Sequence, residues 1–420
     1  MAKVVTNVAR MRVYAEATAA FATDHSGTAG DFLDCPFVEG TVQLQLLEPM
    51  ESPQFAQQHL DAYPIEVHMP KRARLSFDIP LTGLGLATST RGESALSRLL
   101  KIFMGGVVLG TSNTVASTST TTVVNFTSAS LFAQGDAVAF ATGAGGKLEM
   151  REILSISTNA VTLKHALSNA PANGSVIYAA AVHYLTTGQA ANETSLQVIF
   201  EGIETDDRWL LLGGQIASPP KFSLPIGGIP RISFEWEFAN WFYADGVNTA
   251  GDFVGPALAA ATYTFNRPVV MKDSELRITD VGTSSIASTL IDASTIEFTP
   301  AVSYTPHLAP GGTQNIVQWI RTRTVPVITG SFTYPYEDQT WFTEKAEDDR
   351  RAFFLQIGSS PTLVTGGGVL ISAPTIQITD VQRVDMGGVA GQQVSWKGTI
   401  DGATSGTADY EKSAFRIHLF

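Results

Sequence analysis

The sequence has one cysteine, few charged residues and no long apolar run. Cys35 is the single cysteine among 420 residues, which excludes an intrachain disulfide and a multi-cysteine metal site. Charged residues make up 16% of the chain, whereas soluble domains have roughly a quarter. Residues 1–20 lack a signal-peptide core, and no segment approaches the roughly 20 apolar residues of a membrane helix. We therefore expect a folded protein that stays where it is made and whose weakly charged surface needs partners.

Basic residues are also scarce. The chain has 27 Lys and Arg against 39 Asp and Glu, a net charge of -12. Proteins that grip phosphate backbones do so with basic residues that replace counterions, so the composition argues against DNA binding. It does not argue against DNA nearby, because a surface of like charge lets a polyanion pass without sticking.

The neighbours of Cys35 include no histidine, and we predict a packing residue there and not a reactive thiol.

Short alternating runs of Val, Ile, Phe and Thr predict a mainly β, mostly antiparallel fold. Each run ends near a glycine or a proline, which is typical of strands joined by turns. The predicted strands are 41–47, 74–81, 196–201, 231–238, 295–303, 325–334, 375–381 and 392–400.

Two segments predict helices. In the first, Thr90 and Glu93 have the spacing of a capping box, and Gly105 provides a stop. Apolar residues follow that cap at helical intervals: Leu96, Leu99, Leu100 and Phe103. The second helix begins at Thr343, with acidic residues in its early turns and two arginines at 350–351 later, an order that complements the helix dipole. Within this helix we expect ion pairs at spacings of three and four.

The segments around the two helices match each other, which indicates an internal repeat. The matches are 76–80 with 331–335, 196–199 with 355–357, and 218–220 with 372–374. Positions 76 and 331 are 255 apart, but 196 and 355 are only 159 apart and 218 and 372 only 154 apart. The drop from 255 to 159 indicates an insertion of about 96 residues in the first half. Agreement in order favours duplication over coincidence.

The insertion has β character of its own. Residues 110–186 open with a Thr-rich run at 111–122 and continue with short alternating segments separated by Gly and Asn turns. They predict a small all-β module of five or six strands. The chain then divides into a discontinuous first domain of 1–109 and 187–250, the inserted module 110–186, and a second domain 251–420.

The order of these features resembles the tail tube proteins, or major tail proteins, of long-tailed bacteriophages. The resemblance lies in residues 71–85 leading into a helix at 91–104, and in 211–238 with its Gly-rich turn at 226–230. It implies two tandem tail-tube-type β-sandwich or barrel domains, each with one flanking helix. The insertion resembles β-modules that decorate phage tail subunits, and such modules protrude.

The same resemblance implies a non-enzymatic structural subunit of the phage virion tail, assembled in the bacterial host cytoplasm. Stacked rings of such subunits form a hollow conduit through which the genome reaches the host. Rings in this family usually carry six tube-fold domains, so a two-domain chain would complete a ring as a homotrimer with pseudo-sixfold symmetry. The implied partners are other copies of the chain, tape measure, terminator and tail-tip proteins, and DNA in non-specific passage, with no membrane. A negative lumen would reduce DNA adhesion, although solubility explains the acidity equally well.

Ring stacking in the family uses long loops and terminal arms. The candidates here are the loops 48–70 and 305–319, both long for plain hairpins, and an arm at 1–28. The alternatives are ordinary surface loops and a mobile terminus.

Patterns typical of catalytic, metal or cofactor sites are missing from the sequence. The seven histidines are scattered, without an HExxH or a His-x-His pair, and the Gly-rich segments 143–146 and 366–368 lack the rest of a P-loop. Carboxylates cluster at 206–207 and 347–349, which favours a turn and a solvated helix face over a glycosidase pair. We therefore predict no enzyme, no catalytic, cofactor-binding or metal-binding residues, and no cofactor.

Aromatic residues leave one alternative open. Trp236, Phe238, Trp241, Phe242 and Tyr243 could form a carbohydrate platform, as in a tail-associated adhesin or glycan-binding protein with the inserted module as its binding unit. A glycan-cleaving tail enzyme is a further alternative. Alternation of the aromatic residues in 234–238 favours instead one buried face of a strand. For a tube subunit, deletion of residues 111–183 is expected to leave polymerisation intact.

Overall fold

The alternating segments of the sequence form strands in a computed structural model of the chain. Val, Ile, Phe and Thr suit a pleated, half-buried surface, and glycine or proline ends most of the runs. The structure describes residues 3–5, 8–16, 22, 32–47, 50–51, 67–68, 71–85, 92–142, 147–186, 195–202, 208–225, 228–244, 268–271, 274–281, 289–291, 293, 295–308, 316–335, 339–358, 367–399 and 412–420. Within them the fold is mainly β, as predicted.

The first sheet has nine strands. They are β1 (Lys3–Val5), β2 (Val8–Glu16), β3 (Leu33–Asp34), β4 (Gln43–Leu47), β7 (Arg72–Pro80), β16 (Ser195–Gly202), β17 (Arg208–Ser223), β18 (Arg231–Phe238) and β19 (Asn240–Ala244). Their order is β1-β4-β7-β18-β17-β16-β2-β3, and β19 pairs with part of β17. A separate two-stranded ribbon, β5 (Met50–Glu51) with β6 (Val67–His68), lies in the segment between β4 and β7.

The inserted segment forms a sheet of six strands. They are β9 (Asn113–Thr114), β10 (Val123–Asn125), β11 (Ala137–Phe140), β12 (Glu149–Ser157), β13 (Ala160–Leu163) and β14 (Val176–Ala179). Their order is β10-β13-β12-β11-β14-β9, around a core that includes Phe126 and Phe140. The strands that flank it, β8 (Gly105–Leu109) and β15 (Ala181–Leu185), pair with each other and belong to the last sheet. Residues 181–185, which fall in the range predicted for the module, are thus paired outside its sheet.

The last sheet has ten strands. Besides β8 and β15 they are β20 (Glu275–Asp280), β21 (Thr289–Ile291), β22 (Thr295–Leu308), β23 (Ile316–Tyr334), β24 (Arg350–Ile357), β25 (Val369–Asp385), β26 (Ala390–Gly398) and β27 (Arg416–Leu419). The main order is β21-β20-β24-β25-β26-β23-β22, and β27 lies between β25 and β15. Eight of its strands come from the second half of the chain and two flank the insertion.

The first and last sheets share a strand order. Reading from β4 the first runs β4-β7-β18-β17-β16-β2, and reading from β22 the last runs β22-β23-β26-β25-β24-β20. The two series also follow the same order along the chain, with one helix between β7 and β16 and one between β23 and β24. The matched positions occupy the same place in the ladders. Trp236 pairs with Leu75 and Trp396 with Gly330, and positions 75 and 330 are 255 apart, as in the sequence match.

Irregularities in the ladders correspond as well. The β17–β18 ladder shifts register after Ile216, which pairs with Trp236, and the β25–β26 ladder shifts after Ile378, which pairs with Trp396. A β-bulge costs a ladder hydrogen bond and bends its strand, so its position is a specific feature of a fold.

The ladders correct two of the sequence matches. In the β16–β17 ladder Leu196 pairs with Gly214, and the register shifts directly after this pair. In the β24–β25 ladder the same shift follows the pair of Arg351 and Ile376, so Arg351 is the counterpart of Leu196. Positions 196 and 351 are 155 apart, not 159, and 214 and 376 are 162 apart, not 154. The errors of four and eight positions are even numbers. An even slip keeps every side chain on the same face of a strand, so alternation cannot reveal it.

Both helices begin at a different residue from the one predicted. Helix α1 spans Ala95–Met104, and its N-cap is Ser94, whose Oγ accepts a hydrogen bond from Ser97 N at 3.1 Å. Its four predicted apolar residues are all buried. Helix α2 spans Gln339–Glu347, four residues earlier than predicted, and the two arginines at 350–351 begin β24 instead of extending the helix. Instead of pairs within the helix, Arg351 forms ion pairs with Asp280 of the neighbouring strand, with Asp349 and with Glu344 of α2.

Two segments predicted as arm or loop are largely strand. Residues 3–5 and 8–16 of the predicted arm pair with β4 and β16, because their apolar residues complete the first sheet. The predicted loop 305–319 is mostly the outer part of the β22–β23 hairpin, which is paired out to Leu308 and Ile316. Of the predicted loop 48–70, the described residues form the β5–β6 ribbon, and the rest lies outside the described part of the chain.

One hydrophobic core joins the first and last sheets. Phe222 of β17 stacks against Phe298 of β22 with ring centroids 4.3 Å apart, and Phe415 packs against both. Cys35 is part of this core at 3% exposure, in agreement with a packing role, and burial raises the pKa of its thiol. The halves therefore share an apolar interior.

Candidate assembly surfaces

Two buried histidines, His183 and His418, contact serine hydroxyls inside the protein. His183 Nε2 lies 2.8 Å from Ser97 Oγ and His418 Nε2 lies 3.2 Å from Ser372 Oγ, and both imidazoles are fully buried. Burial lowers the pKa of His183 to about 4 and that of His418 to about 3, so both rings are neutral at physiological pH. These Ser–His pairs have no exposed side for a substrate. His165 is buried too, and His307 is exposed.

The other predicted features lie apart from one another. Trp236, Phe238 and Phe234 are buried on one face of β18, as the alternation predicts, and cannot belong to an exposed carbohydrate platform. Phe242 is the one exposed member of the five aromatic residues, at 37%. The carboxylates at 206–207 and the glycines at 143–146 lie outside the described residues.

The inserted module is attached to the last sheet by a polar cluster that the sequence does not reveal. Gln356 of β24 accepts hydrogen bonds from Met150 N and Arg151 Nη1, and donates from Nε2 to Leu148 O, at 3.0 to 3.1 Å. Arg416 of β27 forms a 2.6 Å ion pair with Glu152 of β12. Both side chains of that pair are at most 4% exposed.

An apolar layer surrounds this cluster. The insert contributes small and apolar residues and the last sheet contributes large ones: Ala137, Ala139, Leu148, Met150, Phe354, Leu370 and Phe420. The module is therefore fixed to the rest of the chain over a buried surface, in addition to its two covalent connections.

The electrostatics of the cluster favour the ion pair. Burial alone would raise the pKa of Glu152, but the charges of Arg416 and Lys164 outweigh it and the pKa is lowered. Burial likewise lowers the pKa of Arg151, which lies 3.1 Å from Glu149. A single missing partner would leave a charge in an apolar layer, which is costly.

The first and last sheets also meet through polar contacts at α1. Tyr304 Oη donates to the carbonyl oxygens of Ile102 and Phe103 at 3.1 and 3.2 Å, and Arg321 Nη2 donates to Met104 O at 2.9 Å. A cationic donor at the C-terminus of a helix satisfies its free carbonyls and opposes the negative end of its dipole. The β22–β23 hairpin thus covers the C-terminal end of α1.

Helix α2 is exposed where α1 is covered. In α1 eight of ten residues are buried, whereas in α2 only Trp341 and Glu344 are. Between α2 and β25 lies an open groove lined by Gln339, Phe342, Thr343, Val381 and Arg383. Phe342 is 39% exposed at this groove.

The last sheet also has an edge that the first lacks. In the first sheet β1 pairs along the outer side of β4, with Val4 opposite Gln45. Among the described strands nothing pairs along the corresponding side of β22. An edge strand is a template for pairing with another chain.

No protein-family model matches the chain, and no curated protein is significantly similar to it. In the described part of the chain no three His, Cys, Asp or Glu side chains are grouped as metal ligands would be. None of the described helices is long and apolar enough to cross a membrane.

Proposed function

We propose that this chain is the structural subunit of a bacteriophage tail tube. The single observation that carries the proposal is the shared strand order of the first and last sheets, with matched ladders and bulges. Such correspondence supports two tandem copies of one tail-tube-type β-sandwich or barrel domain, and a closed ring can hold such copies in equivalent positions.

The position of β22 at the end of its sheet and the groove beside α2 support assembly. The outer side of β22 and the groove beside α2 are both suited to contact with another chain, and a closed ring covers such edges while using them for association. Three chains of two copies each would give a ring with pseudo-sixfold symmetry inside. Stacked rings would form the conduit for the genome within the virion tail, assembled in the cytoplasm of the bacterial host.

The partners follow from that role. Other copies of the chain provide the ring and stacking contacts, tape measure, terminator and tail-tip proteins complete the tail, and DNA passes without specific binding. The excess of 39 acidic over 27 basic residues suits a lining that does not hold DNA.

Electron microscopy of concentrated purified protein tests the proposal. We expect rings or hollow rods whose class averages have threefold symmetry outside and six similar densities around the lumen. A ring of six chains would contradict the trimer while keeping the tube. Protein that stays monomeric at every concentration, or that binds glycans on an array through residues 110–186, would contradict the tube itself.

A further inference from the structure

The two helices can be aligned residue by residue. The residue that follows each helix, Gly105 or Asp348, has a left-handed backbone, with φ of 87° and 54°. Matching these positions makes Glu347 the counterpart of Met104, and Phe342 the counterpart of Leu99. Leu99 is fully buried, whereas Phe342 is 39% exposed.

The C-terminal end of α1 is covered by a hairpin, whereas the C-terminal end of α2 is exposed. The carbonyls of Ile102, Phe103 and Met104 accept hydrogen bonds from the β22–β23 hairpin of the other repeat. The counterparts of these residues are at 345–347 in α2, and all three are exposed. Within the part of the chain that the structure describes, α1 has such a contact with a hairpin and the end of α2 has no corresponding one.

The remaining hairpin carries a paired ribbon, and its first strand lies at the corresponding distance along the chain. In the β5–β6 ribbon Met50 pairs with His68, and in the outer β22–β23 hairpin Tyr304 pairs with Arg321. Positions 50 and 304 are 254 apart, the same distance that separates the paired positions 44 and 298 of β4 and β22.

We propose that the end of α2, with Phe342, is the docking site for the β5–β6 ribbon of a second copy of this chain. The contact repeats between chains the one that Tyr304 and Arg321 make with α1 within a chain. It is a head-to-tail contact, and it closes into a ring when the rotation per chain is a whole fraction of a turn. The inference rests on the proposed function and identifies the contact that joins neighbouring subunits.

Disulfide trapping in the full chain tests this contact. Met50→Cys and Ala346→Cys are introduced together, and the native Cys35 does not compete because it is buried and its thiol pKa is raised. On mild oxidation of assembled protein we expect covalent dimers and trimers on a non-reducing gel, with the series ending at the trimer. A mixture of the two single variants is expected to stop at the dimer.

A matched pair controls for random collision. Leu131 is 47% exposed on the inserted module, and Leu131→Cys with Ala346→Cys is expected to give less than a tenth of the cross-linked product. Equal cross-linking of both pairs would overturn the contact. Rings seen by electron microscopy without cross-linking of positions 50 and 346 would also overturn it and would leave the proposed tube intact. Absence of rings under all conditions would remove both.

A surface substitution gives an independent readout. Phe342→Glu places a charge on the groove without disturbing the core, and we expect at least a tenfold rise in the protein concentration needed for assembly, measured by sedimentation velocity. Leu131→Glu, a similar change elsewhere, is expected to assemble as the unchanged chain does. Assembly of Phe342→Glu at the unchanged concentration would contradict the proposal.

Discussion

At the scale of single residues, the ion pair of Glu152 and Arg416 is the most consequential contact outside the apolar core. It joins the insert to the last sheet across 264 positions of sequence, with both side chains buried. Removing one partner of such a pair leaves an uncompensated charge, whereas replacing both by apolar residues removes the desolvation cost as well.

We expect Arg416→Met to lower the free energy of unfolding by about 3–5 kcal/mol, because Glu152 would remain buried without its partner. The double variant Glu152→Leu with Arg416→Met is expected to recover most of that loss. Urea unfolding followed by tryptophan fluorescence measures both. An additive loss in the double variant would show that the two residues act independently.

At the scale of elements, α1 shows how local signals compete. Thr90 and Glu93 have the spacing of a capping box, but Ser94 caps the helix and Glu93 pairs with Arg98 and Lys101. Two hydroxyl residues four positions apart both satisfy the rule for an N-cap, and the sequence alone does not rank them. The structure places the start of the helix at Ala95, directly after Ser94.

A pair of substitutions separates the two caps. Ser94→Ala is expected to cost about 1 kcal/mol of stability because Ser97 N loses its acceptor. Thr90→Ala is expected to change stability by less than half of that amount. Thermal unfolding by circular dichroism measures the difference, and the reverse ranking would place the helix start where the sequence predicts it.

Alternation and turn residues were sufficient to predict most strands, and 231–238 was predicted to the residue. The same alternation could not fix the offset of Leu196 or Gly214, since it is unchanged by a slip of four or eight. The helix–hairpin contact of Tyr304 and the pair Glu152–Arg416 depend on residues about 200 or more positions apart. Contacts of this kind carry no local signal, so the assembly surfaces emerge only from the fold.

At the scale of the whole molecule, the range predicted as the insert includes a strand of the last sheet, β15. Deleting residues 111–183, the change expected from the sequence to be harmless, would remove Ala181 to His183 from the β8–β15–β27 ladder and His183 from Ser97. A better excision ends at 179, because Gly110 N donates to Ala180 O at 3.0 Å and a two-residue turn can join them.

We expect the chain lacking residues 111–179, with Asn-Gly in their place, to fold with reduced stability because Phe354 and Leu370 lose their cover. The chain lacking 111–183 is expected not to fold. Circular dichroism and limited proteolysis compare the two. Equal stability of both chains would mean that the ladder of β15 contributes little.

The ladder between β15 and β27 also sets an order of events during synthesis. His183 faces Ile417 across 234 positions, so β15 leaves the ribosome long before the strand that will lie beside it. Closing so long a loop is slow compared with the local pairing of a hairpin. The first sheet and the insert can therefore fold early, but their joint to the last sheet forms only after translation has reached residue 416.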